Sequence, residues 1–308
     1  MAEIIPDGIW PTMITPFRDT NEIDYEALEE LIEWYIKNEV NGLFAVCQSS
    51  EMFCLSLEER VKLATYITKK VAGRIPVIAS GHISNSFEEQ VREINLIAET
   101  GVTAVVLITN RLAGPDESEE VWYKNLERLL REIPQETKLG LYECPFPYKR
   151  IMSPILLKKC SETGKFLFLK DTCCDSKLIR EKIKSTERSG LKVFNANTAT
   201  LLTSLIDGAA GYSGVMANFH PAFYRWLIDN WSKKPREARI LAGFLTMASL
   251  IETRHYPVNA KYHMKLEGLN IGLFSRSKNS SEFSELYRLE VEELYELEKA
   301  VSMYLKQI

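Results

Sequence analysis

The sequence is poor in the residues and patterns that mark several special classes of protein. Its six cysteines are too few in 308 residues for a disulfide scaffold, and Cys173 and Cys174 are adjacent, which strains an ordinary bridge. Its four histidines are scattered rather than spaced by three or four residues. The sequence therefore predicts reduced thiols and no metal site.

Long apolar runs and one-sided charge are absent as well. No window approaches 18 uninterrupted apolar residues, and residues 1–7 lack the basic start and the apolar stretch of a secretory signal. The 38 basic and 42 acidic side chains are interspersed and leave a net charge of −4. These absences predict a cytoplasmic protein that binds neither a membrane nor a nucleic acid.

The chain instead alternates short apolar runs with longer amphipathic segments. The apolar runs are nearly continuous, as expected for parallel strands that are buried on both faces. Eight such runs cover residues 9–15, 42–46, 76–80, 104–108, 138–142, 166–169, 192–195 and 209–213. The segments between them have a helical period and cover residues 24–37, 56–71, 86–100, 118–131, 153–163, 175–187 and 198–206.

Local start patterns support these helices and the fold that they imply. Ser56 and Glu59 have the spacing of a capping box, and Ser86 and Glu89 repeat it. The alternation of strand and helix predicts an α/β fold, a (β/α)8 TIM barrel. A doubly wound sheet is the main competitor, but the glycine-rich phosphate turn G-x-G-x-x-G that usually accompanies it does not occur.

No strand is predicted beyond residue 218. Helical segments follow at residues 221–231, 236–252, 259–267 and 282–306, and the last carries an apolar stripe. We therefore predict two units, a barrel of residues 1–218 and a C-terminal helical extension of residues 219–308 that packs on the barrel and is a candidate oligomer surface. Residues 268–281 are rich in turn formers, which predicts a solvent-exposed loop.

One lysine stands out from those on the predicted helices. Lys170 follows the apolar run 166–169, so it lies at the carboxyl end of a strand, where barrels of this kind hold their active sites. Lost hydration there lowers the pKa of a lysine from about 10.4, and a neutral amine attacks a carbonyl to form a Schiff base. A structural ion pair with Asp171 or another carboxylate is the alternative, and strand position alone leaves both open.

Two other strand ends carry candidate groups. Tyr142 ends the fifth predicted strand and is able to move protons beside an imine, although ring packing with a hydrogen-bonded hydroxyl is the commoner role of a tyrosine. After the second strand, the turn Gln48-Ser49-Ser50 offers hydroxyl and backbone N–H groups as a cradle for a substrate carboxylate. A simple polar loop is the equal alternative there.

These places together resemble the pyruvate-dependent class I aldolase family that includes dihydrodipicolinate synthase and N-acetylneuraminate lyase. The similarity runs over residues 8–218; Lys170 stands where that family has its imine-forming lysine, and Tyr142 begins a Y-x-x-P motif. The resemblance implies that pyruvate forms an imine with Lys170, that Tyr142 relays protons, and that Ser49 and Ser50 bind the pyruvate carboxylate. It implies a small-molecule substrate, no cofactor, and assembly into homodimers or homotetramers.

Departures from the family pattern bear on the substrate. The family's turn reads Ser/Thr-Thr-Gly-Glu, whereas here Gln48 replaces a hydroxyl by an amide. The synthase branch has an arginine two residues after the motif proline to hold a second carboxylate, and this chain has Pro147 there. The synthase branch also has a second tyrosine after its fourth strand, whereas in this chain no tyrosine lies between the fourth predicted strand and Tyr123. Thr172 resembles the lyase branch instead.

The expected function is therefore that of a Schiff-base lyase or aldolase acting on pyruvate or a related 2-oxo acid. Cleavage like that of N-acetylneuraminate lyase, or a sugar-acid aldolase or dehydratase reaction, ranks above the 4-hydroxy-tetrahydrodipicolinate synthase reaction. A barrel that only binds a ligand stays open, and a class II metal-dependent aldolase would need clustered ligands that the sequence does not display. The expected catalytic residues are Lys170 and Tyr142, and the expected substrate-binding residues are Gln48, Ser49, Ser50, Thr172, Asn197 and Ser213.

Overall fold

The computed structural model describes residues 5–307, and within them eight short β-strands alternate with α-helices. Each strand overlaps one of the eight apolar runs that the sequence predicted as strands. The strands are β1 (Gly8–Ile9), β2 (Leu43–Phe44), β3 (Val77–Ala79), β4 (Ala104–Ile108), β5 (Leu139–Tyr142), β6 (Phe166–Asp171), β7 (Lys192–Asn195) and β8 (Gly211–Tyr212).

The strands form one parallel sheet that closes on itself. Their order is β1-β8-β7-β6-β5-β4-β3-β2. Beyond β1, Thr12 forms a parallel bridge to Phe44 of β2, and the N–H of Phe44 donates to the carbonyl of Pro11 at 3.0 Å. Because this bridge joins the two ends of the sheet, the predicted (β/α)8 TIM barrel is confirmed.

The pairing of β1 with β8 depends on two glycines. Gly8 is paired with Gly211, and their φ angles are +129° and +154°. A Cβ atom on Gly211 would lie 1.9 Å from the carbonyl oxygen of Gly8. The two backbones approach this closely only because neither residue carries a side chain.

Helices follow the strands and cover the outside of the barrel. The helices of this part are α1 (Tyr25–Lys37), α2 (Leu57–Val71), α3 (Phe87–Ala98), α4 (Glu119–Glu132), α5 (Pro154–Glu162), α6 (Ser176–Thr186) and α7 (Thr198–Ile206). The predicted capping box is present at α2, where Ser56 accepts the Glu59 N–H at 3.1 Å and Glu59 accepts the Ser56 N–H at 2.9 Å. At α3, Ser86 accepts the Glu89 N–H at 3.2 Å.

Beyond β8 the described residues are mainly helical. They form α8 (Pro221–Asn230), α9 (Pro235–Ala248), α10 (Val258–Leu266) and α11 (Glu285–Lys306). Helix α8 packs against β1 and α10 against α11, and a single apolar core runs from the barrel into these helices. The division of the chain at residue 218 stays a prediction. Among residues 5–307, no helix has both the length and the apolar character needed to cross a membrane.

The segment 268–281 is mainly a loop, as its composition predicts, but it is only partly exposed. Ser275 within it is buried, and the cause is Glu51, which follows β2. The Glu51 carboxylate accepts the Ser275 hydroxyl at 2.8 Å and the Ser277 N–H at 2.6 Å, and it lies 3.4 Å from Nζ of Lys261. These bonds hold the segment over the carboxyl ends of the strands.

Candidate active site

The carboxyl ends of the strands surround a cavity of about 910 Å³. Its lining comes from the carboxyl ends of β5 and β6, from the residues that follow β2, β5, β6, β7 and β8, and from the segments that follow α9 and α10. Six of the eight residues that the sequence predicted as site residues line this cavity. They are Gln48, Ser49, Tyr142, Lys170, Thr172 and Asn197.

Lys170 lies on β6 in register with Tyr142 on β5, and it is 4% exposed. Its Nζ lies 4.4 Å from the centre of the Tyr142 ring and 6.0 Å from that of Phe44. Among residues 5–307 no carboxylate forms an ion pair with it, because the adjacent Asp171 binds Lys182 at 2.5 Å instead. The ion pair with Asp171, which strand position left open, is therefore absent from the described part of the chain.

The surroundings of Lys170 make its neutral form more populated than that of an ordinary lysine. Burial lowers the pKa of Lys170 to about 8, against smaller raising effects of Cys47, Cys144 and Glu252. At pH 7 about a tenth of the molecules then carry the uncharged amine, compared with less than one in a thousand for an ordinary lysine. The site thus supplies a nucleophilic amine near neutral pH.

The Tyr142 hydroxyl is directed at the second strand's turn. It donates to Oε1 of Gln48 at 3.4 Å, and Sγ of Cys144 donates to the same oxygen at 3.4 Å. Burial raises the pKa of Tyr142 well above its ordinary value and that of Cys144 to about 11, so both groups stay protonated. The Gln48 amide oxygen therefore accepts the hydrogen bond that the Tyr142 hydroxyl donates.

The two serines of the turn have different surroundings. Ser49 lines the cavity and donates to Oγ1 of Thr12 at 3.1 Å. The Ser50 hydroxyl is fully buried and lies 2.8 Å from the Met13 carbonyl and 2.7 Å from the Ala45 carbonyl. The structure therefore does not bring the Ser50 side chain to the cavity, since its hydroxyl fastens the turn to the neighbouring backbone.

The remaining predicted residues divide in the same way. Thr172 and Asn197 line the cavity; the Thr172 hydroxyl donates to the carbonyl of Glu143 at 2.7 Å, and Asn197 caps α7. Ser213 is fully buried and donates to the carbonyl of Trp10 at 2.9 Å. Its hydroxyl joins the chain after β8 to that after β1 and does not reach the cavity.

Two cavity residues come from the C-terminal helices and were missed at the sequence level. Glu252 lies in a 3-10 helix (Ser249–Thr253) after α9, and Tyr256 follows it. The Tyr256 hydroxyl accepts a hydrogen bond from Asn218 at 2.9 Å. Burial raises the pKa of Glu252, and its charge acts on Lys170. Neither residue has a sequence pattern that marks it, because a single acid or tyrosine after a helix is ordinary.

Basic side chains also line the cavity. Lys149, Arg276 and Lys278 are among its lining residues, and Arg276 pairs with a glutamate of α2. Arg150, by contrast, donates to backbone carbonyls that precede α4 and lies outside the lining. Glu51 and Glu252 also line the cavity, so its lining carries charges of both signs.

One trio of side chains within residues 5–307 is close enough to share a metal ion, namely His263, Glu267 and Glu298. None of the three lines the cavity. The Glu298 carboxylate already bonds to His220 at 2.6 Å and to His263 at 2.8 Å. The described cavity residues therefore do not assemble the ligand set that a class II aldolase requires.

Known proteins provide independent comparisons. The model of the dihydrodipicolinate synthetase family matches residues 6–296. The 4-hydroxy-tetrahydrodipicolinate synthase of Kosmotoga olearia is 25% identical over 284 residues, which are 89% of this chain and 95% of that protein. Two solved structures share the fold with TM-scores of 0.85.

The first of these structures is a dihydrodipicolinate synthase from Bacillus anthracis, 22% identical, with 94% of this chain and 97% of that chain covered. The second is YagE, a prophage protein of the dihydrodipicolinic acid synthase family from E. coli K12 in complex with pyruvate. YagE is 20% identical to this chain, with 95% and 98% of the two chains covered.

Proposed function

Because this chain belongs to the dihydrodipicolinate synthetase family, we propose that its Lys170 forms a Schiff base with pyruvate or a related 2-oxo acid. Members of the family are lyases and synthases of the class I aldolase type, and this chain is an enzyme of that type. The observation that carries the proposal is the buried Lys170 amine, which has no ion-pair partner within residues 5–307 and lies at an open cavity. YagE, which shares the fold, binds pyruvate.

The first chemical step joins the amine to the ketone. The lone pair of the neutral Lys170 amine forms a bond to C2 of pyruvate, and the carbonyl oxygen leaves as water. That water carries one proton from the amine and one from a donor, and a positively charged iminium is left. Tyr142, whose ring lies beside Nζ, is the donor in this proposal.

The second step uses the iminium as an electron sink. A methyl proton leaves C3 to a base, the C3–H electron pair forms the C2–C3 double bond, and the iminium becomes a neutral enamine. The raised pKa of Tyr142 makes its phenolate a strong base once the first proton has been given up. The enamine carbon then bonds to an aldehyde, or in the reverse direction a C–C bond breaks and pyruvate is released.

Two measurements with pyruvate alone test this proposal. Borohydride reduction in the presence of pyruvate is expected to add the mass of a reduced pyruvate adduct to Lys170, and NMR in D2O is expected to show exchange of the pyruvate methyl protons. Peptide mapping provides an internal control, because Lys261 is also buried with its pKa lowered to about 8 but is paired with Glu51 and does not itself line the cavity. An adduct on Lys261 instead would show that Lys170 is not the imine-forming lysine, and no adduct under forcing conditions would favour the ligand-binding barrel.

The rate of imine formation should depend on pH through Lys170. It is expected to rise with pH as Lys170 loses its proton around pH 8. Because the charge of Glu252 raises the pKa of Lys170, Glu252→Gln should move the midpoint of the profile to lower pH. The measurement is the trapping rate with pyruvate from pH 6 to pH 10.

The matched control for that profile is Glu132→Gln. Glu132 is exposed at the end of α4 and does not line the cavity, so its substitution should leave the midpoint unchanged. An unchanged or upward-shifted midpoint in Glu252→Gln would show that this carboxylate does not act on the amine.

The identity of the aldehyde partner is the finer part of the proposal. The relatives' names support condensation as in 4-hydroxy-tetrahydrodipicolinate synthase, which the sequence motifs ranked second. A lyase acting on a sugar-acid type of substrate is the second candidate, because Pro147 occupies the place of the family's carboxylate-binding arginine and Arg150 is used elsewhere. Pyruvate consumption with an aldehyde that carries its own carboxylate, measured beside pyruvate release from sugar-derived 2-oxo acids, separates the two.

Location and assembly stay predictions. The sequence predicts a cytoplasmic protein, and the family resemblance implies a homodimer or homotetramer. Exposed apolar side chains on the C-terminal helices are consistent with a contact between copies; among the described residues they include Ile240, Met247, Leu250, Leu297 and Met303. Light scattering of the purified protein measures the assembly state directly.

A further inference from the structure

A buried ion cluster lies directly behind the two proposed catalytic residues. Glu143 follows Tyr142 at the end of β5, Asp171 follows Lys170 at the end of β6, and Lys182 projects from α6. The Nζ of Lys182 lies 2.5 Å from Oε1 of Glu143 and 2.5 Å from Oδ2 of Asp171. All three side chains are 0% exposed, and the reaction steps above use none of them.

The alternation of side chains along a strand explains this placement. Successive residues face opposite sides of a sheet, so the cavity-lining Tyr142 and Lys170 are each followed by a residue that faces the helical layer. Tyr142 and Lys170 are also partners in the register of β5 and β6. Lys182 therefore joins the two strands at the level of the reacting groups and from the opposite face.

The carboxylates in the cluster are fully hydrogen-bonded. Glu143 accepts the Met152 N–H at 2.8 Å and the Thr172 N–H at 2.9 Å, and Asp171 accepts the Cys173 N–H at 3.0 Å. The cluster thus fixes the backbone that follows both strand ends. A satisfied buried network of this kind rigidifies its surroundings.

Stability alone is a weak reason for such a cluster. Desolvation of buried ions costs several kcal/mol for each ion, and well-packed apolar residues often replace them without loss. Burial and the charge of Asp171 raise the pKa of Glu143 to about 7 although Lys182 acts to lower it. The two carboxylates raise the pKa of Lys182 against the effect of burial, so the lysine stays charged and keeps both partners.

We propose that Lys182 is a positioning residue, which through Glu143 and Asp171 holds β5 and β6 in the register that places Tyr142 beside the Lys170 amine. The inference rests on the proposed roles of Tyr142 and Lys170. It assigns to α6, which does not line the cavity, a direct influence on the geometry of the reaction.

The first test replaces Lys182 by methionine and follows methyl-proton exchange of pyruvate. We expect kcat for exchange to fall about 10²-fold, the scale of a misplacement by 1 Å, while KM for pyruvate changes little. The matched control is Arg60→Met, which breaks the buried Arg60–Glu93 pair between α2 and α3 away from the cavity. It should lower the melting temperature without changing kcat; unchanged kcat in Lys182→Met would overturn the proposal.

A double-mutant cycle separates positioning from a general loss of structure. If Lys182 acts through Tyr142, the variant with both Lys182→Met and Tyr142→Phe should be hardly slower than Tyr142→Phe alone. Losses that multiply would show that Lys182 does not act through Tyr142 and would overturn the proposal.

A third variant covers the case in which Lys182→Met does not fold. The triple substitution Lys182→Met, Glu143→Gln and Asp171→Asn removes all three charges but keeps amide oxygens for the backbone N–H groups. We expect it to fold and to retain the kcat loss; wild-type kcat in it would overturn the proposal. Wild-type protein that fails to trap pyruvate at Lys170 would instead refute the proposed function, so the two failures are distinguishable.

Discussion

Replacement of Lys170 by alanine is expected to reduce methyl-proton exchange of pyruvate to the rate measured without enzyme. Without the amine no iminium forms, and neither exchange nor C–C chemistry has an electron sink. Borohydride in the presence of pyruvate should then leave the variant's mass unchanged. Exchange at the wild-type rate in Lys170→Ala would end the Schiff-base proposal.

Lys170 also affects how the stability of the protein depends on pH, and the lowered pKa fixes the direction of that effect. The folded-state pKa of Lys170, about 8, is below the ordinary value of 10.5, so the unfolded chain binds more protons between these values. Burial of the charged amine therefore costs stability below pH 8, at most roughly 3 kcal/mol, and the cost disappears above pH 10.5. Lys170→Met, which keeps much of the side chain's volume, should raise the melting temperature at pH 7 and raise it less at pH 10.5.

Thermal unfolding at the two pH values, with Arg60→Met as control, measures this difference. The control loses a buried ion pair rather than an unpaired amine, so its melting temperature should fall at pH 7. A fall in Lys170→Met at pH 7 would mean that the amine has a stabilising partner in the folded protein.

Replacement of Tyr142 by phenylalanine is expected to slow exchange by about 10²-fold or more, the usual contribution of a general acid or base. The ring, which lies 4.4 Å from Nζ of Lys170, is kept, and only the hydroxyl that donates to Gln48 is lost. Trapped adduct should still accumulate at Lys170, but more slowly. The readouts are the NMR exchange rate and the rate of trapping.

Tyr66→Phe on α2 is the matched control for that substitution. Its hydroxyl donates to the carbonyl of Tyr25 and lies outside the cavity lining, so exchange should continue at the wild-type rate. Equal rates in Tyr142→Phe and wild type would return Tyr142 to the packing role that is commoner for tyrosines.

Much of the fold could be read from local patterns. Eight apolar runs overlap the eight strands of the described residues, and Ser56 with Glu59 forms the predicted capping box. Their positions at the ends of adjacent strands also predicted that Lys170 and Tyr142 lie close together, because the carboxyl ends of parallel strands meet at one end of a barrel.

The same reasoning could not separate side chains within a short turn. Ser49 and Ser50 are adjacent hydroxyls, yet only Ser49 lines the cavity, because the Ser50 hydroxyl contacts two backbone carbonyls. Ser213 likewise does not line the cavity, because its hydroxyl donates to the carbonyl of Trp10. The sequence shows that a hydroxyl is present in the turn. It does not show which backbone carbonyl accepts from that hydroxyl, because such a carbonyl can belong to a strand that is distant in sequence.

The sequence by itself determined the barrel, the strand end that carries the reactive amine, and the family resemblance, since these depend on periodicity and on motifs within a few residues. Tertiary structure alone decided that Asp171 pairs with Lys182 rather than with Lys170, that Glu51 holds the segment 268–281 over the cavity, and that Glu252 lines the same cavity as Lys170. Each of these depends on the distance between residues far apart in the chain, and that distance is set only when the helices pack on the barrel.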